Sequence, residues 1–126
     1  VARIIINNGN AGTLFLHSEL ITHFEADGNY CRAFYADGKE QDLWLSMKRL
    51  EEILVSQLPT TAPPFLKVGR SLIVNVRYIV RITPQKHEME LHGTEMKEHL
   101  VLKASEVALT GLLDYLTVKL SNQNTH

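Results

Sequence analysis

The densest group of side chains able to grip an anion lies in Phe65-Leu66-Lys67-Val68-Gly69-Arg70-Ser71-Leu72-Ile73-Val74-Asn75. Lys67 supplies a point charge, Arg70 a planar fork of donors suited to phosphate or a guanine edge, and Ser71 a hydroxyl. These three fall within five residues and give way to an apolar run that ends in Asn75. An amide closing an apolar run is better suited to tying down backbone than to reaching a partner, so Asn75 reads as structural.

Other chemistries find less support. Gly9-Asn10-Ala11-Gly12-Thr13 has neither the spacing nor the lysine of a phosphate loop, and no helical pattern follows it, so it reads as a turn. Six histidines invite a search for metal ligands. Glu88, Glu90 and His92 would share one strand face with His99 on the next strand, and three of these could converge on an ion. Against that, no cysteine assists, no helix carries a His-x-x-x-His pair, and charged strand faces are usually solvated. Cys31 sits beside Arg32, but nothing nearby supplies a general base, so it reads as a buried structural thiol. Glu51-Glu52 and the Glu88/Glu90 face are the paired carboxylates, and neither lies in an apolar setting that would separate their proton affinities. The expectation is no catalytic residue, no metal and no cofactor.

The elements that must position Lys67, Arg70 and Ser71 are mostly strands. Arg3–Ile6 and Thr13–His17 flank a Gly/Asn-rich turn, and Ile21–Glu25 and Tyr30–Tyr35 flank Asp27-Gly28-Asn29. Asp37-Gly38 returns the chain through Gln41–Leu45. Val76–Ile82 alternates, with Val76, Tyr78, Val80 and Ile82 on one face and Arg77 and Arg81 on the other. His87–His92 and Lys97–Lys103 flank Gly93-Thr94. Two segments have helical period: Met47, Leu50, Ile53, Leu54 and Leu58 behind a Ser46 cap, and Leu109, Leu112, Leu113, Leu116 and Leu120 behind Ser105, with Glu106 in the first turn. Pro59 to Pro64 reads as a loop and residues 121–126 as a polar tail following a single domain over 1–120. The fold class is mostly β, with about ten short strands and two helices.

At 126 residues, 44% hydrophobic and 21% charged, the chain has the size and composition of one globular domain. The net charge of −1 excludes a polycationic coat, but it hides an asymmetry. Residues 53–87 carry five basic residues (Lys67, Arg70, Arg77, Arg81, Lys86) and no acidic one, while the remainder sums to −6. A local patch can attract phosphate because charges beyond about 10 Å are screened at 0.1 M salt. Equally, neighbours in sequence need not be neighbours in space. One cysteine favours a reducing compartment, and no apolar run approaches the roughly 18–20 residues that span a bilayer. The reading is a cytoplasmic domain of a longer chain with no membrane segment.

With these residues in place, the chain resembles the LytTR family of DNA-binding domains, output modules of many bacterial two-component response regulators. The family's central pattern, aromatic-x-Arg-x-His-x-Ser-x-x-Val-Asn, is met by Phe65, Lys67, Gly69, Ser71, Val74 and Asn75. Ile21-Thr22-His23-Phe24-Glu25 with Tyr30 looks like its Ile-x-x-aromatic-Glu-x-x-x-x-Tyr segment, Leu45-Ser46-Met47-Lys48-Arg49-Leu50 its first helix start, and Ile79 and Ile82 its Ile-x-x-Ile. Four motifs in register extend the resemblance from about Arg3 to Leu116.

The resemblance implies an elongated fold of small sheets with two flanking helices, contacting successive major grooves through loops and strand ends. It implies sequence-specific double-stranded DNA binding by a transcription regulator, on paired half-sites, with a receiver domain outside this chain. A first contact region would hold Asn29, Tyr30 and Arg32, a second Lys67, Arg70 and Ser71, a third Lys103 and Ser105, and Lys48 would touch phosphate. Gly69 stands where the family commonly has histidine, and Lys67 where it has arginine, which keeps charge without bidentate geometry. The competing reading is a divergent module that associates with proteins, a homodimer through exposed strand edges included.

Overall fold

The computed structural model describes residues 3–58 and 64–124, with side chains described as far as Val118. Ten strands and two helices alternate with four short 3-10 turns among these residues. β1 (Arg3–Asn7) and β2 (Thr13–His17) form a two-stranded sheet. A five-stranded sheet follows in the order β5-β4-β3-β7-β6, from β3 (Ile21–Asp27), β4 (Tyr30–Tyr35), β5 (Glu40–Leu43), β6 (Phe65–Val68) and β7 (Leu72–Asn75). β8 (Ile79–Thr83), β9 (Glu88–Leu91) and β10 (Leu100–Lys103) make a three-stranded antiparallel sheet. The helices are α1 (Met47–Gln57) and α2 (Glu106–Asn124).

Side chains alternate across a strand, and the central sheet uses both faces. Phe24, Ala33, Leu43 and Ile73 pack with Ile4, Ile6 and Leu16 of the first sheet and with Leu50, Ile53 and Leu54 of α1. Val68, Leu72 and Val74 pack on the other side with Tyr78, Met89, Leu91 and Leu102 and with Leu109 and Leu112 of α2. β7 therefore reads as an unbroken apolar run because all four of its residues are buried, on alternate sides. Both helix starts follow the sequence: Ser46 Oγ accepts from the Arg49 N–H at 3.2 Å, and Ser105 Oγ from the Ala108 N–H at 3.1 Å.

Three boundaries depart from the sequence expectation by three residues or more. Val76–Tyr78 is a 3-10 turn, because the Asn75 side chain accepts from the Arg77 N–H at 3.1 Å and coils the chain before β8 begins. Tyr78 is thus fully buried while Val80 is 53% exposed, and the two do not share a face. β10 begins at Leu100 rather than Lys97, and α2 continues to Asn124, past Ser121. Residues 59–63 of the Pro59-to-Pro64 loop, and the Leu120 side chain, lie outside the described residues.

Candidate nucleic-acid interface

β6 and β7 close with Val68 opposite Leu72, leaving Gly69-Arg70-Ser71 as a three-residue turn. Gly69 has φ +66°, a left-handed conformation that disfavours any residue with a Cβ. The turn is tied to β3 and approached by α2. The Ala26 N–H of β3 donates to the Ser71 carbonyl at 2.9 Å, and Ala108 Cβ of α2 lies 3.6 Å from where a Gly69 Cβ would be. Arg70 and Ser71 are exposed, and among the described residues no acid comes within ion-pair distance of Arg70. Asn75 ties the far end of β7 to the Ile21 and Ser18 carbonyls, at 2.9 and 3.4 Å.

The third predicted region meets this turn. Ser71 and Lys103 line one cleft of about 350 Å³, together with Glu25, Leu72 and Val101. Lys103 Nζ lies 2.7 Å from Glu88 Oε2 and holds that carboxyl below its usual range. Ser105 is committed locally, since its hydroxyl caps α2. The β10–α2 junction is also pinned where the Ala104 N–H donates to the His87 carbonyl at 3.1 Å.

The first predicted region has a different character. Asn29 is exposed in the tight Gly28-Asn29 turn, and Tyr30 is half exposed with its ring edge-on to Trp44 at 5.0 Å. Arg32 is enclosed by acids: Asp42 at 2.8 Å, Asp27 at 3.5 Å and Glu40 at 3.8 Å. Asp42 foremost makes the guanidinium still harder to deprotonate. A wider opening of about 530 Å³ lies beside it, bounded by Glu40, Asp42 and Trp44, and the surplus of carboxylates makes it a poor seat for phosphate.

Lys67 and Lys48 lie on the α1 side of the central sheet. Lys67 Nζ sits 3.0 Å from Glu51 Oε2, and Lys48 is exposed in the first turn of α1. The structure thus gathers Ser71 and Lys103 at one cleft with Arg70 on the adjoining turn, places Lys67 against Glu51 of α1, the helix that also carries Lys48, and surrounds Arg32 with three acids. Exposed pairs such as Lys67–Glu51 contribute little net stability and can be exchanged for phosphate. An arginine facing three carboxylates is harder to strip.

The acid-free stretch of sequence is not an acid-free surface. Arg77 meets Glu95 at 2.7 Å and Arg81 meets Glu90 at 3.6 Å. The histidines gather only in part: His99 hydrogen-bonds Glu90, and its ring stacks on His92 at 4.1 Å and 10°. Stacked rings direct their lone pairs along separate parallel planes, and among the described residues no three potential ligands converge on a metal position. Cys31 is 1% exposed, and burial pushes its thiol up to about 11, which leaves it protonated and unreactive at neutral pH.

Sequence reasoning missed Glu25 as a member of the cleft. Alternation along β3 places His23, Glu25 and Asp27 on one face, but that Ser71 and Lys103 come to rest beside Glu25 depends on how the three-stranded sheet packs.

Comparison with known proteins bears on the whole arrangement. A family model described as the LytTr DNA-binding domain matches residues 11–116. Among solved structures, the chain is similar to the LytTr DNA-binding domain of a protein described as a methyl-accepting/DNA response regulator from Bacillus cereus. The two share 18% identity and a TM-score of 0.61, over 92% of this chain and 97% of the other. No curated protein matches.

Proposed function

Because the chain belongs to the LytTR family of DNA-binding domains, we propose that it binds double-stranded DNA sequence-specifically through the end formed by the β6–β7 turn, the β3–β4 turn and the β10–α2 junction. The observation that carries this is the exposed Arg70 beside Ser71, with no acid within ion-pair distance among the described residues, on a turn tied to β3. A braced turn presents its donors in one geometry, which base recognition requires and diffuse attraction does not.

In this reading Arg70 and Asn29 reach base edges, while Lys103, Lys67 and Lys48 meet phosphates. Ser71 donates to either, and Tyr30 packs the approach. Arg32 positions the first loop through its acids rather than meeting DNA itself. Ser105 holds the α2 start that orients Lys103. The domain acts as the output of a bacterial response regulator that controls transcription in the cytoplasm, and two copies occupy half-sites about one helical turn or a multiple apart.

A fluorescence-anisotropy titration of random-sequence duplex at 50 and 200 mM salt tests the phosphate footprint. Three neutralised phosphates predict a loss of about 40-fold between the two conditions. Affinity indifferent to salt, or none at 50 mM, would favour a module that associates with proteins instead, for which the exposed Val107 and Val118 of α2 provide apolar surface.

A further inference from the structure

His23 is 1% exposed and hydrogen-bonded at both ring nitrogens. A bulge in β3 makes Thr22 the extra residue between the Ile21–Tyr35 and His23–Phe34 pairs, which brings its hydroxyl beside the His23 ring. Nδ1 lies 2.9 Å from Thr22 Oγ1, Nε2 lies 3.0 Å from Glu25 Oε2, and the ring stacks flat on Phe34 at 4.4 Å. Thr22 Oγ1 is also 3.2 Å from the Phe34 carbonyl.

Counting protons along this chain restricts its states. A carbonyl only accepts, so the single Thr22 hydroxyl proton goes to Phe34, and Nδ1 must then donate to Thr22. An ionised Glu25 also only accepts, so Nε2 must carry a proton as well. All contacts are therefore satisfied together when the ring is an imidazolium. Losing one proton turns the Thr22 hydroxyl away from Phe34 and toward Nδ1, at the expense of that hydrogen bond. Burial opposes the charged ring and is the larger influence, while Glu25 favours it, so His23 holds its proton less tightly than an ordinary histidine.

Glu25 is the outer end of the chain and faces the cleft shared by Ser71 and Lys103. We propose that Thr22, His23 and Glu25 form a proton-binding site that sets the charge of the DNA-facing cleft, so that affinity for DNA rises as pH falls. This rests on the DNA-binding reading above. With the ring neutral the pair presents one negative charge to an approaching phosphate, and with the ring protonated it presents none. By linkage, DNA favours the protonated state and binding takes up a proton. The other charges facing the pair are Arg32 from β4, held by Asp27, Glu40 and Asp42, and Lys103 from β10, held by Glu88. The neighbours across from β7 are the apolar Leu72 and Val74.

The test compares wild type, His23→Gln and Glu25→Gln on one duplex at 50 mM salt, at pH 7.5 and 5.5. Between these values wild type should gain more affinity than either variant, up to about threefold, the size of one unit charge acting across several ångströms of solvated surface. Glu25→Gln should already bind about threefold tighter than wild type at pH 7.5. Because His23→Gln alters a buried position, the His23 ring is also titrated by NMR in wild type, and added duplex should move its midpoint upward. Equal pH ratios in all three proteins, or a midpoint indifferent to DNA, would overturn the inference while leaving DNA binding intact. Absence of duplex binding at both pH values would instead overturn the functional reading, and this inference with it.

Discussion

Arg32 and Arg70 both stand near strand ends, and family position points both toward DNA, yet the fold treats them in opposite ways. Arg32 faces Asp42 directly across the β4–β5 ladder and has Asp27 and Glu40 within reach. Arg70 projects from a three-residue turn that has no acid within ion-pair distance among the described residues. The difference teaches that the charge a residue offers to a partner is decided by its cross-strand neighbours. In the proposed function, local negative surplus makes the Arg32 region a scaffold for the Gly28-Asn29 turn, and the lack of it makes the β6–β7 turn the reading head.

The largest expected effect breaks the reading head. Arg70→Ala should cost about 1–3 kcal/mol of affinity for a preferred site if the arginine is bidentate to a base, and should relax preference at that position. Anisotropy against matched and mismatched duplexes checks this, and unchanged preference would remove Arg70 from its role. Next, Gly69→Ala should lower folding stability by about 1–2 kcal/mol, the usual penalty for a side chain in a left-handed conformation. Space is not the obstacle, because a Cβ there meets Ala108 at an ordinary 3.6 Å. Urea denaturation followed by circular dichroism measures it, and no loss would mean that the turn is not held as described.

Smaller effects sharpen the contrast from the other side. Arg32→Gln should change affinity about twofold, through net charge alone, and leave the salt slope intact, since Arg32 neutralises no phosphate in this account. A slope reduced by about one unit would show that the acidic cage opens on DNA. The smallest effect concerns pH and stability. His23 holds its proton less tightly in the folded state than in the unfolded chain, where the value is 6.5. The unfolded state therefore binds more protons as pH falls below 6.5, so this contribution to stability is full above 6.5 and is lost on acidification. Urea midpoints at pH 7.5 and 5.5 should move less in His23→Gln than in wild type, and an equal movement would assign the acid sensitivity elsewhere.

Much of this architecture was legible in the sequence because it depends on local rules. Apolar spacing with a serine cap located both helices, and Gly-containing turns between strand-like runs located the β1–β2, β3–β4, β4–β5 and β9–β10 hairpins. The Asn75 amide proved to be a backbone tie, as a polar group closing an apolar strand suggests. What escaped depends on contacts distant in sequence. The Val76–Ile82 alternation looked uniform, but the Asn75 side chain competes for the Arg77 N–H and coils the first three residues. The acid-free stretch of 53–87 left open whether its charges share a basic surface, and Glu51, Glu90 and Glu95 from other elements pair three of them. The cage around Arg32 follows from hairpin register, which moves every partner to the other face with a one-residue slip. Family position located Arg70 and Arg32 equally well and could not distinguish a free guanidinium from a paired one.

The most direct test of the central claim is a backbone amide NMR titration of the protein with duplex DNA. The account predicts that the largest perturbations fall on Gly69 to Ser71, on Lys103 to Ser105 and on Gly28 to Tyr30, with Gln41 to Leu43 of β5 nearly silent. Perturbations centred on β5 beside Arg32, or on the exposed face of α2 around Val107 and Val118, with the β6–β7 turn unmoved, would contradict it.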